Sequence, residues 1–97
     1  MPRPRTAKPR SLRHAALGHA IELVIAEDPC MTLDTVVRDS GLDEKQVGTF
    51  IRGQGNPTFS TLLKLCDGLH VSPATLMFKA EDLHRKRIKG ASDTSPG

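Results

Sequence analysis

TLDTVVRDSGLDEKQVGTFIRGQGNPTFSTLLKLCDGLHVSPATLM, residues 32–77, decides the fold. Its apolar residues recur every three or four positions and never alternate, so the stretch reads as successive helices with no strand. Thr32 is placed to cap a helix whose inner face is Leu33, Val36 and Val37 and whose outer face is Asp34, Thr35, Arg38 and Asp39. Gly41, free to take a positive φ, ends it. Asp43 opens the next helix, with Gln46 spaced to reach back in a capping box. Val47, Phe50 and Ile51 turn inward on that helix, and Gly53 closes it. After Asn56-Pro57-Thr58 comes a segment expected to bury Phe59, Leu62, Leu63, Cys66 and Leu69. Ser72 as cap and Pro73 as first helical residue open a last helix, which runs through Leu76 and Met77 as far as Ile88.

Working outward, residues 12–31 supply one more helix. Ser11 can cap it, Leu17, Ala20, Ile21, Val24 and Ile25 form its apolar stripe, and Pro29 stops it. Residues 1–11 hold Pro2, Pro4 and Pro9 among charges and read as a disordered basic arm. Residues 89–97, small and polar, read as a disordered tail, which leaves a single domain over 12–88. The formal charge of +3 is unevenly spread, with +5 over residues 1–13, −4 over 14–78 and +2 over 79–97.

Composition narrows the function classes. Three Phe and no Trp or Tyr are too few aromatics for a base-stacking platform. No apolar run approaches the roughly 18 residues of a membrane span, and none follows the basic start as a secretory segment would. A cytoplasmic, nucleoid-associated protein is expected. Cys30 and Cys66, with His14, His19, His70 and His84, show no metal-ligand spacing. No phosphate loop or nucleophile motif stands out, so neither enzyme, metal nor cofactor is expected.

Only Ser40-Gly41-Leu42 separates the second and third helices, which is a helix-turn-helix spacing. The turn makes the third helix project a face away from the core, and Glu44, Lys45, Gly48, Thr49 and Arg52 lie on it, opposite Val47, Phe50 and Ile51. Residues 32–77 resemble the Xre/Cro-repressor family over nearly their whole length. The matching points are Gly41-Leu42, Val47 and Phe50, Arg52-Gly53, Asn56-Pro57, Thr61-Leu62-Leu63-Lys64-Leu65, Leu69, Val71-Ser72-Pro73 and Leu76, with Leu17-Gly18 and Ile21 in the first helix. The resemblance implies an all-α five-helix bundle that acts as a homodimer on double-stranded DNA, with the third helix in the major groove. It implies that Glu44, Lys45 and Thr49 meet base edges. Arg52, Gln54 and Asn56, in the following loop, then meet phosphate.

Some residues depart from the family pattern. Leu33 stands where relatives often carry a phosphate-bonding Gln, Asp43-Glu44 bring two carboxylates to the reading helix, and Gly48 leaves one reading position bare. Ile25 and Ile51 occupy positions where many relatives hold a buried Arg–Glu pair; an apolar swap of that kind is often neutral or stabilising. Arg3, Arg5, Lys8 and Arg10 have the composition of an arm that enters a minor groove or attracts phosphate. Leu76, Met77, Phe78, Leu83 and Ile88 are candidates for a dimer seam. The primary expectation is a sequence-specific, repressor-like transcriptional regulator. The alternative is a protein-interaction module, adaptor or antitoxin-like, whose partner is a protein and which binds DNA weakly or without sequence preference.

Overall fold

The computed structural model describes residues 10–93, which form α1 (Leu12–Glu27), α2 (Leu33–Ser40), α3 (Glu44–Ile51), α4 (Phe59–Leu69) and α5 (Pro73–Asp93), with no strand among the described residues. The first four amides of a helix have no partner inside it, and here a side chain answers at every start. Ser11, Thr32, Asp43, Thr58 and Ser72 accept from the amides of His14, Thr35, Gln46, Thr61 and Thr75, at 2.8–3.2 Å. Two caps are reciprocal. The Thr35 hydroxyl accepts from the Thr32 amide at 2.9 Å, and the Gln46 side chain accepts from the Asp43 amide at 3.3 Å. At the other ends, Gly41 (φ 77°) closes α2, Gly53 (φ 75°) follows α3, and His70 (φ 58°) closes α4. His70 takes this left-handed geometry without being glycine, and its ring meets Asp39 of α2 at 3.0 Å. The Arg38 guanidinium first, and the His70 imidazole second, hold the Asp39 carboxyl below its ordinary range.

One core joins the five helices: Ala20, Ile21 and Val24 of α1, then Met31, Val36, Leu42, Val47, Phe50, Leu65, Cys66, Leu69 and Leu76. α1 lies mainly against α5 and also against α3, while α2 lies mainly against α4. Ile25, Leu33 and Ile51 pack on the edge of this core. The Cys66 thiol is buried in it, which pushes its pKa up. Ion pairs Arg13–Glu81 and Lys79–Glu27 clasp α1 to α5 at the surface, where each contributes at most about 1 kcal/mol.

Three expectations need correction. Phe59 is 72% and Leu63 37% exposed, whereas Leu65 is fully buried. Two overlapping rows at helical spacing run along α4, and the one that faces inward is Leu62, Leu65, Cys66 and Leu69. The last helix continues past Ile88 to Asp93, so residues 89–93 are helical where a tail was expected. At the start, Ser11 caps α1 and the Arg10 amide donates to the Gly53 carbonyl at 2.8 Å, so these two residues belong to the fold rather than to an arm. The rest of the arm expected over residues 1–11 (residues 1–9) and the end of the tail expected over 89–97 (residues 94–97) lie outside the described residues.

Two glycines set how closely helices approach. A Cβ on Gly68 would stand 2.6 Å from both the Val36 carbonyl oxygen and the Ser40 Cβ, and a Cβ on Gly18 would meet the Ile51 carbonyl group. Backbone cannot yield as a side-chain tip can. Gly68→Ala is therefore expected to lower stability by about 1–3 kcal/mol, read as a fall in the thermal midpoint; an unchanged midpoint would refute the close approach of α2 and α4.

Candidate nucleic-acid interface

α3 owes its placement to the turn before it. Ser40 is buried, and its hydroxyl donates to the Val37 carbonyl (3.3 Å) while accepting from the Leu42 amide (3.1 Å). The turn thus satisfies polar groups that water would otherwise have to reach. Val47 and Phe50 then anchor α3 in the core. What remains outward is the face expected from the sequence: Glu44 and Lys45 exposed, Gly48 and Thr49 half-buried, and Arg52 exposed at the C-cap.

The Thr49 hydroxyl donates to the Lys45 carbonyl at 2.8 Å, which leaves its oxygen free to accept. The Arg52 guanidinium lies 3.5 Å from that oxygen and would be 3.2 Å from a Cβ on Gly48. Arg52 therefore folds back along the helix, over the bare position, and belongs to the α3 face more than to the loop. Gly48, which costs helix stability, makes the room. Asp43 commits its carboxylate to the Gln46 amide, so of the two acids at this end Glu44 is the uncommitted one.

The loop from Gly53 to Thr58 is held by backbone: the Gln54 and Gly55 amides donate to the Thr49 carbonyl at 3.0 and 3.3 Å. The three residues expected to contact phosphate fare differently. Arg52 lies along α3. Asn56 is exposed, and its Oδ1 accepts from His14 Nε2 at 3.2 Å. Gln54 is turned inward, with a buried Nε2 that has no hydrogen-bond partner among the described residues, so its donor is withdrawn from the surface. Arg10 stands beside this loop through its bond to Gly53, whereas Arg3, Arg5 and Lys8 lie outside the described residues. His14 is the residue that sequence reasoning missed here; nothing local signals a contact with a residue 42 positions on.

Of the expected dimer seam, Leu76 is fully buried and Met77 and Leu83 pack on the core, while Phe78 is 71% exposed. Leu33 is also packed on the core, which accounts for an apolar residue at that position. No helix among the described residues is long and apolar enough to cross a membrane, and those residues hold no cluster of three or more His, Cys, Asp or Glu suited to a metal ion.

A family model for the Cro/C1-type helix-turn-helix DNA-binding domain matches residues 23–78. Among solved structures, the fold is similar to the clp gene regulator ClgR from Corynebacterium glutamicum, with 21% identity, 87% of this chain and 88% of that chain covered, and a TM-score of 0.75. It is also similar to the restriction-modification controller protein C.AhdI from Aeromonas hydrophila, with 27% identity, 68% and 98% covered and a TM-score of 0.62. A third is C.Esp1396I bound to a 19-base-pair DNA duplex, with 22% identity, 75% and 96% covered and a TM-score of 0.66. No curated protein matches the chain.

Since the only atoms a Cβ on Gly48 would meet belong to the flexible end of Arg52, Gly48→Ala is expected to raise stability by about 0.5–1 kcal/mol. Chemical denaturation measures this directly. A loss of stability would mean that the Arg52 guanidinium cannot move aside.

Proposed function

Because the chain belongs to the family of Cro/C1-type helix-turn-helix DNA-binding domains, we propose that it is a sequence-specific, repressor-like transcriptional regulator that reads double-stranded DNA with α3 as a homodimer. The observation that carries this reading is the outward face of α3. Glu44, Lys45 and Thr49 stand on it with Arg52 laid over Gly48, so acceptors and donors alternate along one strip. Base edges in the major groove present such a mixed pattern; a phosphate row presents only acceptors. Glu44 can accept from cytosine N4, while Lys45 and Arg52 can donate to guanine O6 and N7. Asn56, at the mouth of the loop, supplies a phosphate contact, and Arg10 roots the basic arm of Arg3, Arg5 and Lys8 beside it.

Two copies of α3 in successive major grooves stand about 34 Å apart, and Phe78 is the exposed apolar side chain that α5 offers, among the described residues of the expected seam, to the homodimer. The chemistry is binding, not catalysis, and its setting is the nucleoid in the cytoplasm. Two residues that would suit a protein-interaction module are instead engaged within the fold. Leu33 serves the core, and Asp43 serves the cap of α3.

Selection of the full-length chain against a randomised duplex pool tests the reading. A two-fold symmetric motif is expected; no enrichment, with retention that collapses as salt rises, would instead leave a tail-driven attraction to DNA. Thr49→Ala should alter which base is preferred at one position of each half-site, by about 1–3 kcal/mol, while neutralising Arg3 and Arg5 should weaken all duplexes alike and lower the salt slope by about 0.9 per charge that met a phosphate. Equal weakening on every duplex by Thr49→Ala would sink the base-reading role.

A further inference from the structure

The start of α1 is tied to the loop after α3 by two bonds, and the second has a direction. Ser11 Oγ accepts from the His14 amide (3.1 Å) and lies 2.7 Å from His14 Nδ1. A hydroxyl in that position gives its one proton to Nδ1, which leaves the ring hydrogen on Nε2. Nε2 then donates to Asn56 Oδ1, at 3.2 Å. An amide held by its oxygen turns its NH2 group the other way, toward the exposed side of the loop. Without that hold, the Asn56 amide is free to present either its oxygen or its nitrogen, and only the nitrogen can donate to a phosphate.

Resting on the DNA-binding reading above, we propose that His14 is a positioning residue for the phosphate contact of Asn56: its Nε2 holds the amide oxygen, so the amide nitrogen is the end left to meet a phosphate. Arg13 and Glu81, paired with each other across the cleft between α1 and α5, and His84 line the same cleft as His14 and Asn56, which makes His84 the control for a change confined to that cleft.

The test uses the full-length chain, a mixed-sequence duplex that spans two successive major grooves, and the variants His14→Phe, His14→Gln and His84→Gln. In the free protein, the two-bond nitrogen–proton NMR spectrum of His14 should show hydrogen on Nε2 near pH 8, and the Asn56 side-chain amide signals should move in His14→Phe. On the duplex, His14→Phe should bind about three- to tenfold more weakly. His14→Gln restores a donor to Asn56, so it should recover the affinity. His84→Gln should bind as the wild type does. Hydrogen on Nδ1, or full affinity in a folded His14→Phe protein, would overturn the proposal alone. A wild-type chain that binds no duplex would overturn the DNA-binding reading with it, while the NMR arm would still report whether His14 holds Asn56.

Discussion

The closeness of α4 to α2 is the constraint on which the DNA-facing side depends. Gly68 permits it, since any side chain there would enter the Val36 carbonyl and the Ser40 side chain. With α4 that near, Ser40 is sealed from solvent and must satisfy its hydroxyl internally, which it does by bonding both sides of the turn. A turn closed in this way leaves α3 little freedom of direction, because Leu42 just before it and Val47 and Phe50 within it are already seated in the core. The outward face of α3 is thus a product of packing behind it. Gly18 plays the matching part at the other end of α3, where α1 passes against the Ile51 carbonyl.

Legibility in the sequence follows the range of the interaction. The caps Ser11, Thr32, Asp43 and Ser72, the capping box of Asp43 and Gln46, the positive φ of Gly41 and the inward trio Val47, Phe50 and Ile51 are settled within a few residues, and the pattern of residue types announces them. α4 is ambiguous in the sequence because Phe59, Leu62, Leu63 and Cys66 make as good a helical row as Leu62, Leu65, Cys66 and Leu69; only the partner helices choose between them, and they choose the second. The end of α5 is hard to place because Gly90, Ala91 and Ser92 include weak helix formers that do not forbid a helix. In the interface, membership of the α3 face is legible, but the recoil of Arg52 over Gly48, the inward turn of Gln54 and the hold of His14 on Asn56 are not. Each depends on which way a side chain turns after the backbone is in place.

The charge distribution divides the work of binding. Residues 10–93, the folded body, carry no net charge and so do little to attract a polyanion. Residues 1–9 carry +3. On the proposed reading, non-specific, salt-sensitive affinity comes chiefly from the N-terminal charges, and discrimination from a short helix face with one carboxylate, one amine, one hydroxyl and one guanidinium. A regulator built this way gains in the ratio of specific to non-specific binding, which decides occupancy in a genome full of competing sites.

The anchoring of Arg10 limits where those charges can act. Its amide is bonded to the Gly53 carbonyl at the end of α3, so Arg10 is fixed beside the loop that carries Asn56. On the proposed reading, that bond sets the point from which the charges of Arg3, Arg5 and Lys8 act. Bond for bond, the same loop would then receive three contributions from distant parts of the sequence: a direction from α3, a held amide from α1 and a tether for the basic arm.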